Sequence, residues 1–242
     1  MGTIAAMNLP YGAVYFDVDG TLLDSAPGVT RCVAAALSEM GLPVEDQATL
    51  MLHVGPPLAE GFRTVSGLDA DTAEEAVRRY RRHYESEGVF EASLFPGVAD
   101  LLQSLRDRGV RLSTATSKTE RMTRIVLDHL GVADLLDRIV GAGPERATKT
   151  AVLAEARRQL AADGFSGAEA LLGDRIFDAA GARDHGIDFV GAAWGYAPDP
   201  AELRSARLVA ASPAEAALML TGGGSTSREP AGGAPASRPA SS

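Results

Sequence analysis

Short runs of apolar and β-branched residues recur along the chain, and most are followed by stretches in which apolar positions repeat every three or four residues. The short runs predict strands near 13–17, 110–115, 138–140, 170–172 and 188–192, with a weaker one at 207–209. The longer periodic stretches predict helices over 119–131, 148–162 and 178–186. Strands alternating with helices imply a parallel sheet covered on both faces, an α/β fold. One interval breaks the rhythm. From Asp24 to about Phe95 only helical periodicity is visible, as in "PGVTRCVAAALSEMG" and "DADTAEEAVRRYRRHYES". Pro96-Gly97 then punctuates the return and opens another helix.

The expected organisation is an α/β core from 1–23 and 95–220, interrupted by an all-helical insertion at 24–94. Beyond it, residues 221–242 are Gly, Ser, Ala and Pro with no aromatic or branched apolar side chain, apart from a few Thr, Arg and Glu. Such a segment buries too little surface to offset its ordering entropy, so a disordered tail is expected.

Composition changes this picture only at the margins. A length of 242 residues with 45% hydrophobic content suits one large domain or a domain with an insertion. The net charge of −9 argues against a nucleic-acid polymer or an anionic membrane as partner. Cys32 is the one cysteine, which rules out an internal disulfide and fits a reducing compartment. It lies in a helical apolar pattern and is expected to be a buried structural thiol. No secretory signal is read, Ala6 breaks the myristoylation pattern, and no apolar run reaches the ~20 residues that span a bilayer. The expected setting is cytoplasmic, as a monomer or homodimer.

Candidate chemistry collects at the predicted strand ends, the edge where parallel α/β sheets bind ligands. The first strand runs into Asp17 and Asp19, two like charges that would share one face of a continuing strand. The second ends in "STATSK", offering Thr116, Ser117 and Lys118, and beyond the third Lys149 opens a helix. The fourth ends in "LLGDRIFD", with Asp174 and Asp178 four apart. Lys118 and Lys149 are the chain's two lysines, among 23 basic residues otherwise all arginine. A lysine ammonium is a compact point charge suited to a single oxygen, whereas arginine is a flat fork. Aspartates from two strand ends can hold a hard divalent cation, with Mg²⁺ the usual choice. A cation, a lysine and a hydroxyl together make a site for phosphoryl transfer, and a carboxylate can itself attack phosphorus.

In this order, "DVDGT", the hydroxyl of "TATSK", a lone downstream lysine and "GDRIFD" resemble the four motifs of the haloacid dehalogenase-like phosphohydrolases. The resemblance covers about residues 12–220, and "VGPPLAEGF", "FPGVADLL", "TSKTE" and "GAAWGY" look most like the phosphoglycolate-phosphatase and 5′-nucleotidase branch. It implies a Rossmann-like core with the helical insertion as cap domain, and hydrolysis of a small soluble phosphate ester. It also implies roles. Asp17 would be the nucleophile and a Mg²⁺ ligand; Asp19 the general acid–base, ligating the metal through its backbone carbonyl. Thr116 would bond the phosphate, and Lys149 would neutralise nucleophile and phosphoryl charge. Asp174 would complete the metal site, with Asp178 and Lys118 in support, and Ser117 beside the phosphate. The segment "GAGPERATK" departs from the pattern at Pro144 and Glu145, which loosens any claim about substrate.

Blander readings stand beside these. Asp174 and Asp178 also suit a helix N-cap and first-turn acid. Lys118 also fits a structural role at a helix start, and Arg78, Arg79, Arg81 and Arg82 a solvated face. His53, in "LHVGPPL", is placed where an insertion loop can meet a substrate, and Trp194 and Tyr196 are expected to pack near the rim. A 5′-nucleotide, 2-phosphoglycolate and a phosphorylated intermediate of a specialised pathway all remain as substrates. The rival activities are a phosphosugar mutase, a catalytically silent binder and, weakest, a dehalogenase, which would not need the proton carrier Asp19.

Overall fold

The computed structural model describes residues 11–222, and the expected tail from 223 onward lies outside the described residues. The first strand, β1 (Ala13–Phe16), leads through a tight turn into the two-residue strand β2 (Leu23–Asp24). Four helices follow: α1 (Ala26–Glu39), α2 (Gln47–Met51), α3 (Leu58–Thr64) and α4 (Ala70–Ser86). A 3₁₀ turn at Gly88–Glu91 leads into β3 (Ser93–Leu94), and then come α5 (Val98–Asp107), β4 (Arg111–Thr114), β5 (Thr116–Thr119) and α6 (Glu120–His129). The remainder is β6 (Gly141–Ala142), α7 (Lys149–Ala162), β7 (Glu169–Gly173), α8 (Ile176–Asp184), β8 (Asp188–Ala192), β9 (Leu208–Ala210) and α9 (Pro213–Thr221).

The core is one all-parallel sheet in the order β4-β1-β7-β8-β9, the α/β arrangement expected. Alternation along β1 explains its layering. Val14 and Phe16 face one hydrophobic core with Leu102, Leu105 and Leu220, while Ala13 and Tyr15 face the other with Val152, Leu153 and Leu160. All four β1 residues are buried, as a strand covered on both faces must be. Cys32 is buried in the helical segment, and burial pushes its thiol up to about 11, so it is a packing group.

Four expectations need correction. The interval from 24 to 94 is not purely helical, because β2 and β3 pair antiparallel where the chain leaves and rejoins the core. The strand expected at 138–140 reduces to a single bridge, Ser113 to Arg138. The Thr114 hydroxyl explains this: it donates to the Val140 carbonyl at 2.8 Å and accepts from the Val140 amide at 2.7 Å. It thereby takes up the backbone groups a ladder would have used. Pairing resumes one step on, where β6 runs parallel to β5 with a shift of register between Thr116 and Thr119. Finally, α8 starts at Ile176 rather than 178, and Thr221 is the last residue of α9, closed by Gly222, rather than the first of a tail. Among the described residues no helix is long and apolar enough to cross a membrane.

Candidate active site

The carboxyl end of β1 is the point where the chain's crossovers diverge, to β4 on one side and β7 on the other. Such a switch point leaves a crevice above the strand ends. Asp17 stands there, its amide held by the Leu172 carbonyl of β7 at 2.9 Å. Asp174 and Asp178 arrive from the end of β7 and the first turn of α8. The three side chains are 6%, 0% and 0% exposed at the residue level, and one oxygen of each lies within 4.8 Å of the others.

Lys149 supplies the opposing charge. As the first residue of α7 it is aimed by Thr148, whose side chain accepts from the Ala151 amide and fixes the helix start. Its Nζ donates to Asp17 Oδ1 at 2.6 Å and to the Ala115 carbonyl, just past β4, at 2.8 Å. It also lies 2.8 Å from Asp178 Oδ1, an ion pair whose geometry is not that of a hydrogen bond. Burial alone would push the ammonium down, but the Asp17 and Asp178 charges outweigh it and hold the pKa above the ordinary lysine value. The carboxylates feel the excess negative charge. Burial, then Asp17 and Asp178, push Asp174 well above the usual range, and burial raises Asp178 to about 6 against the pull of Lys149.

Three buried aspartates facing one ammonium are short of positive charge, and their hard oxygens converge within reach of a single ion. Asp178 Oδ1 is also buried without a hydrogen bond. This donor set fits a divalent cation such as Mg²⁺. Asp174 is held ready from several sides. Oδ1 accepts from the Thr21 hydroxyl at 3.0 Å and Oδ2 from the Tyr196 amide at 2.8 Å. A side chain at Gly20 or Gly195 would overlap the Asp174 carboxylate, so both positions must stay bare for the loops to close around it. Asp178 performs the expected capping as well, accepting from the Arg175 amide at 3.0 Å.

Asp19 is separate from this group. Its carboxylate accepts from Lys118 Nζ at 2.8 Å on both oxygens. Burial would lower the Lys118 pKa, and the Asp19 charge more than reverses this. The same ammonium sits 4.7 Å from the ring centre of Tyr84, which α4 contributes and which stacks on Tyr80. Both lysines of the chain therefore end on aspartates of the "DVD" stretch. Thr116 is buried at the start of β5 and accepts from the Lys118 amide at 3.2 Å, while its hydroxyl proton stays free to donate. Ser117, next on β5, is half-buried. The cap of α6 is Thr119, so Lys118 stands before the helix, not in it.

His53 is brought elsewhere. Its ring is buried against Phe62, and Nε2 bonds Glu45 at 3.0 Å and Ser66 at 3.2 Å rather than facing the aspartates. Burial lowers its pKa below the ordinary imidazole value, against the opposing pull of Glu45. Arg78 and Arg79 pair with Glu75, and Arg82 with Glu39, as a solvated helix face should. Tyr196 does more than pack. Its hydroxyl donates to Asp24 Oδ1 at 2.5 Å and accepts from the Ala26 amide at 3.2 Å, and Trp194 Nε1 donates to the Thr21 carbonyl at 3.0 Å. Sequence reasoning missed Thr21, Gly195 and these two tethers. The signals were present in "DGT" and "WGY", where a glycine stands beside polar or aromatic residues just past a strand end.

Comparison with known proteins gives four further findings. Residues 14–192 match the family model described as "Haloacid dehalogenase-like hydrolase". Tyrosine-protein kinase PtkA of Mycobacterium tuberculosis is 42% identical over 185 residues, which are 76% of this chain and 62% of that protein. The chain thus spans less than two thirds of that relative. A 5′-nucleotidase of Pseudomonas aeruginosa is 34% identical over 198 residues, covering 81% of this chain and 89% of the relative. Among solved structures, a haloacid dehalogenase-like family hydrolase of Streptococcus pneumoniae superimposes with a TM-score of 0.78 at 31% identity, covering 86% and 97% of the two chains.

Proposed function

Because the chain belongs to the haloacid dehalogenase-like hydrolase family, we propose that it is a Mg²⁺-dependent phosphomonoesterase working through a phosphoryl group carried on Asp17. The observation that carries this reading is the Lys149 ammonium bonded to Asp17 inside a buried group of three aspartates. A structural ion pair needs one acid, and this cluster has two more than its lysine can neutralise. Asp17, Asp174 and the Asp19 backbone carbonyl would hold the ion, with Asp178 steadying Lys149. When bound, Mg²⁺ supplies positive charge against the phosphoryl oxygens.

The chain's own residues account for the rest. Asp17 attacks phosphorus while the ester P–O bond breaks, and the leaving oxygen takes its proton from Asp19. Asp19 then removes a proton from water, which attacks the same phosphorus, so that the bond to Asp17 breaks and inorganic phosphate leaves. Lys118 donates to both carboxylate oxygens of Asp19 and so fixes where that carboxylate stands. Lys149 offsets charge on Asp17 throughout, and the Thr116 and Ser117 hydroxyls would donate to phosphoryl oxygens. The helical segment from α1 to α4 serves as the cap over this site, and the substrate is a small soluble ester such as a 5′-nucleotide or 2-phosphoglycolate.

One observation favours a second reading. The 42% identity with a protein described as a tyrosine kinase suggests transfer from Asp17 to a tyrosine hydroxyl instead of water. Phosphate release with Mg²⁺ from a panel of 5′-nucleotides, 2-phosphoglycolate, sugar phosphates and an aryl phosphate separates the two, with ATP plus tyrosine peptides as a parallel arm. Release that vanishes in Asp17→Asn supports the phosphatase. Phosphotyrosine without release replaces it with the kinase, and neither product overturns both.

A further inference from the structure

Arg175 follows Asp174 in sequence, yet its side chain leaves the aspartate group for the helical segment. Nη1 donates to the Val54 carbonyl at 2.7 Å, and Nε donates to Glu202 Oε2 at 3.0 Å. The same Glu202 oxygen accepts from the Ile176 amide at 2.9 Å, so the acid is itself fixed to the start of α8. Arg175 is only 7% exposed. A buried guanidinium is retained only where it is paired and its hydrogen bonds are made, and a side chain without a task here would lie in solvent.

The stretch it grips, residues 52–57, joins α2 to α3 and has no helix or strand of its own. Its backbone is shaped to receive the guanidinium. Gly55 has φ +106°, and a Cβ there would stand 2.6 Å from Arg175 Nη1. The other flank of Asp174 is tied as well, through the Tyr196 amide on its carboxylate and the Tyr196 hydroxyl on Asp24 and Ala26. Two neighbouring loops of the sheet, after β7 and after β8, therefore hold the helical segment at two places: where residues 52–57 come down onto the core, and where that segment begins.

We propose that Arg175 is a positioning residue that locks the 52–57 segment onto the core, and so determines how tightly a phosphate ester is enclosed over the aspartates. The enclosure rests on the phosphatase reading; the lock itself does not.

The test is hydrogen–deuterium exchange on the full chain, without substrate, for wild type, Arg175→Ala, Arg175→Lys and Glu202→Gln. The amides of His53 and Val54 are bonded to Leu50 and Met51 and so report opening of this segment. Arg175→Ala is expected to speed their exchange by roughly 10- to 100-fold, the range that loss of one or two hydrogen bonds to a charged group gives. Arg175→Lys, whose single ammonium cannot span Val54 and Glu202 as the fork does, should restore part of the protection, and Glu202→Gln should lie between. Peptides from β1 and β7 should exchange as in wild type. Unchanged exchange at 53–54, or acceleration spread evenly over the chain, overturns the lock. If Arg175→Ala fails to fold, Arg175→Lys and Glu202→Gln decide the matter by the same criterion. For the best ester, KM should rise about tenfold in Arg175→Ala with a smaller fall in kcat. Faster exchange with an unchanged KM would overturn the enclosing role while leaving the phosphatase reading intact. A chain that hydrolyses no ester would still yield the exchange result.

Discussion

Replacing Lys149 with methionine tests the electrostatic core of the site most severely, because the change keeps the bulk of the side chain and removes its charge. In the folded protein Nζ touches Asp17, Asp178 and the Ala115 carbonyl, all of them buried. Removing one partner of a buried pair costs about 3–5 kcal/mol, since the other charge stays behind without compensation. In a chain of this length each kcal/mol moves the melting temperature by about 2–4 °C, so a fall of about 6–20 °C is expected near neutral pH without metal. The cost should shrink in acid. Asp178 and Asp174 have folded-state pKa values raised above those of the unfolded chain, so their protonated forms favour folding below the unfolded values near 4 and that contribution is lost as pH rises toward 6 and beyond. Without Lys149 these carboxyls bind protons more readily still, and at pH 5 protonation relieves part of the repulsion. Thermal melts of wild type and Lys149→Met at pH 7.5 and pH 5 read this directly. A melting temperature within about 2 °C of wild type at both pH values would refute the argument, as would a loss that does not depend on pH.

Three further outcomes follow from the same geometry. Asp19→Asn takes the carboxylate from a Lys118 ammonium whose side chain is only 6% exposed, so the melting temperature should fall, and below that temperature phosphate release should slow by about 10²- to 10⁴-fold, the usual contribution of a general acid–base; a folded variant within a few-fold of wild type would remove Asp19 from the chemistry. Mg²⁺ should raise the melting temperature more at pH 7.5 than at pH 5, because protons compete with it for Asp174, whose pKa is raised by burial, and an equal shift at both pH values would contradict binding there. Tyr196→Phe strips the bonds to Asp24 and the Ala26 amide, so urea unfolding should show a loss of about 1–3 kcal/mol at an unchanged slope.

Much of this arrangement was legible in the sequence because local rules and function coincide at strand ends. A short apolar run that stops at aspartate is both a buried strand and a polar edge, and "VYFDVD" and "LLGD" carry both signals. The two lysines could be singled out because the chain uses arginine elsewhere. The assignments of partner to lysine could not be read, since the first residue of α7 reaches Asp17 across the Ala115 carbonyl, a relation that depends on how α7 lies against β4. Strands β2 and β3 have two residues each and leave no periodicity to detect. The segment at 138–140 looked like a strand because Arg-Ile-Val suits one, but a threonine hydroxyl on the neighbouring strand intercepts its backbone. His53 illustrates the limit of motif reasoning. Its position beside "VGPP" is right for a contact with the core, and the contact is made by the Val54 carbonyl and Arg175, while the imidazole turns inward to Glu45 and Phe62.

The claim on which the account depends is that Asp17 receives the phosphoryl group. Quenching the enzyme during turnover of its best ester and reducing it with borohydride converts an acyl phosphate to an alcohol, so the modified residue can be found by peptide mass spectrometry. The account predicts homoserine at position 17, dependent on substrate and absent in Asp17→Asn. An unmodified Asp17 in an enzyme that is releasing phosphate, or homoserine at 19, 174 or 178 instead, would contradict it.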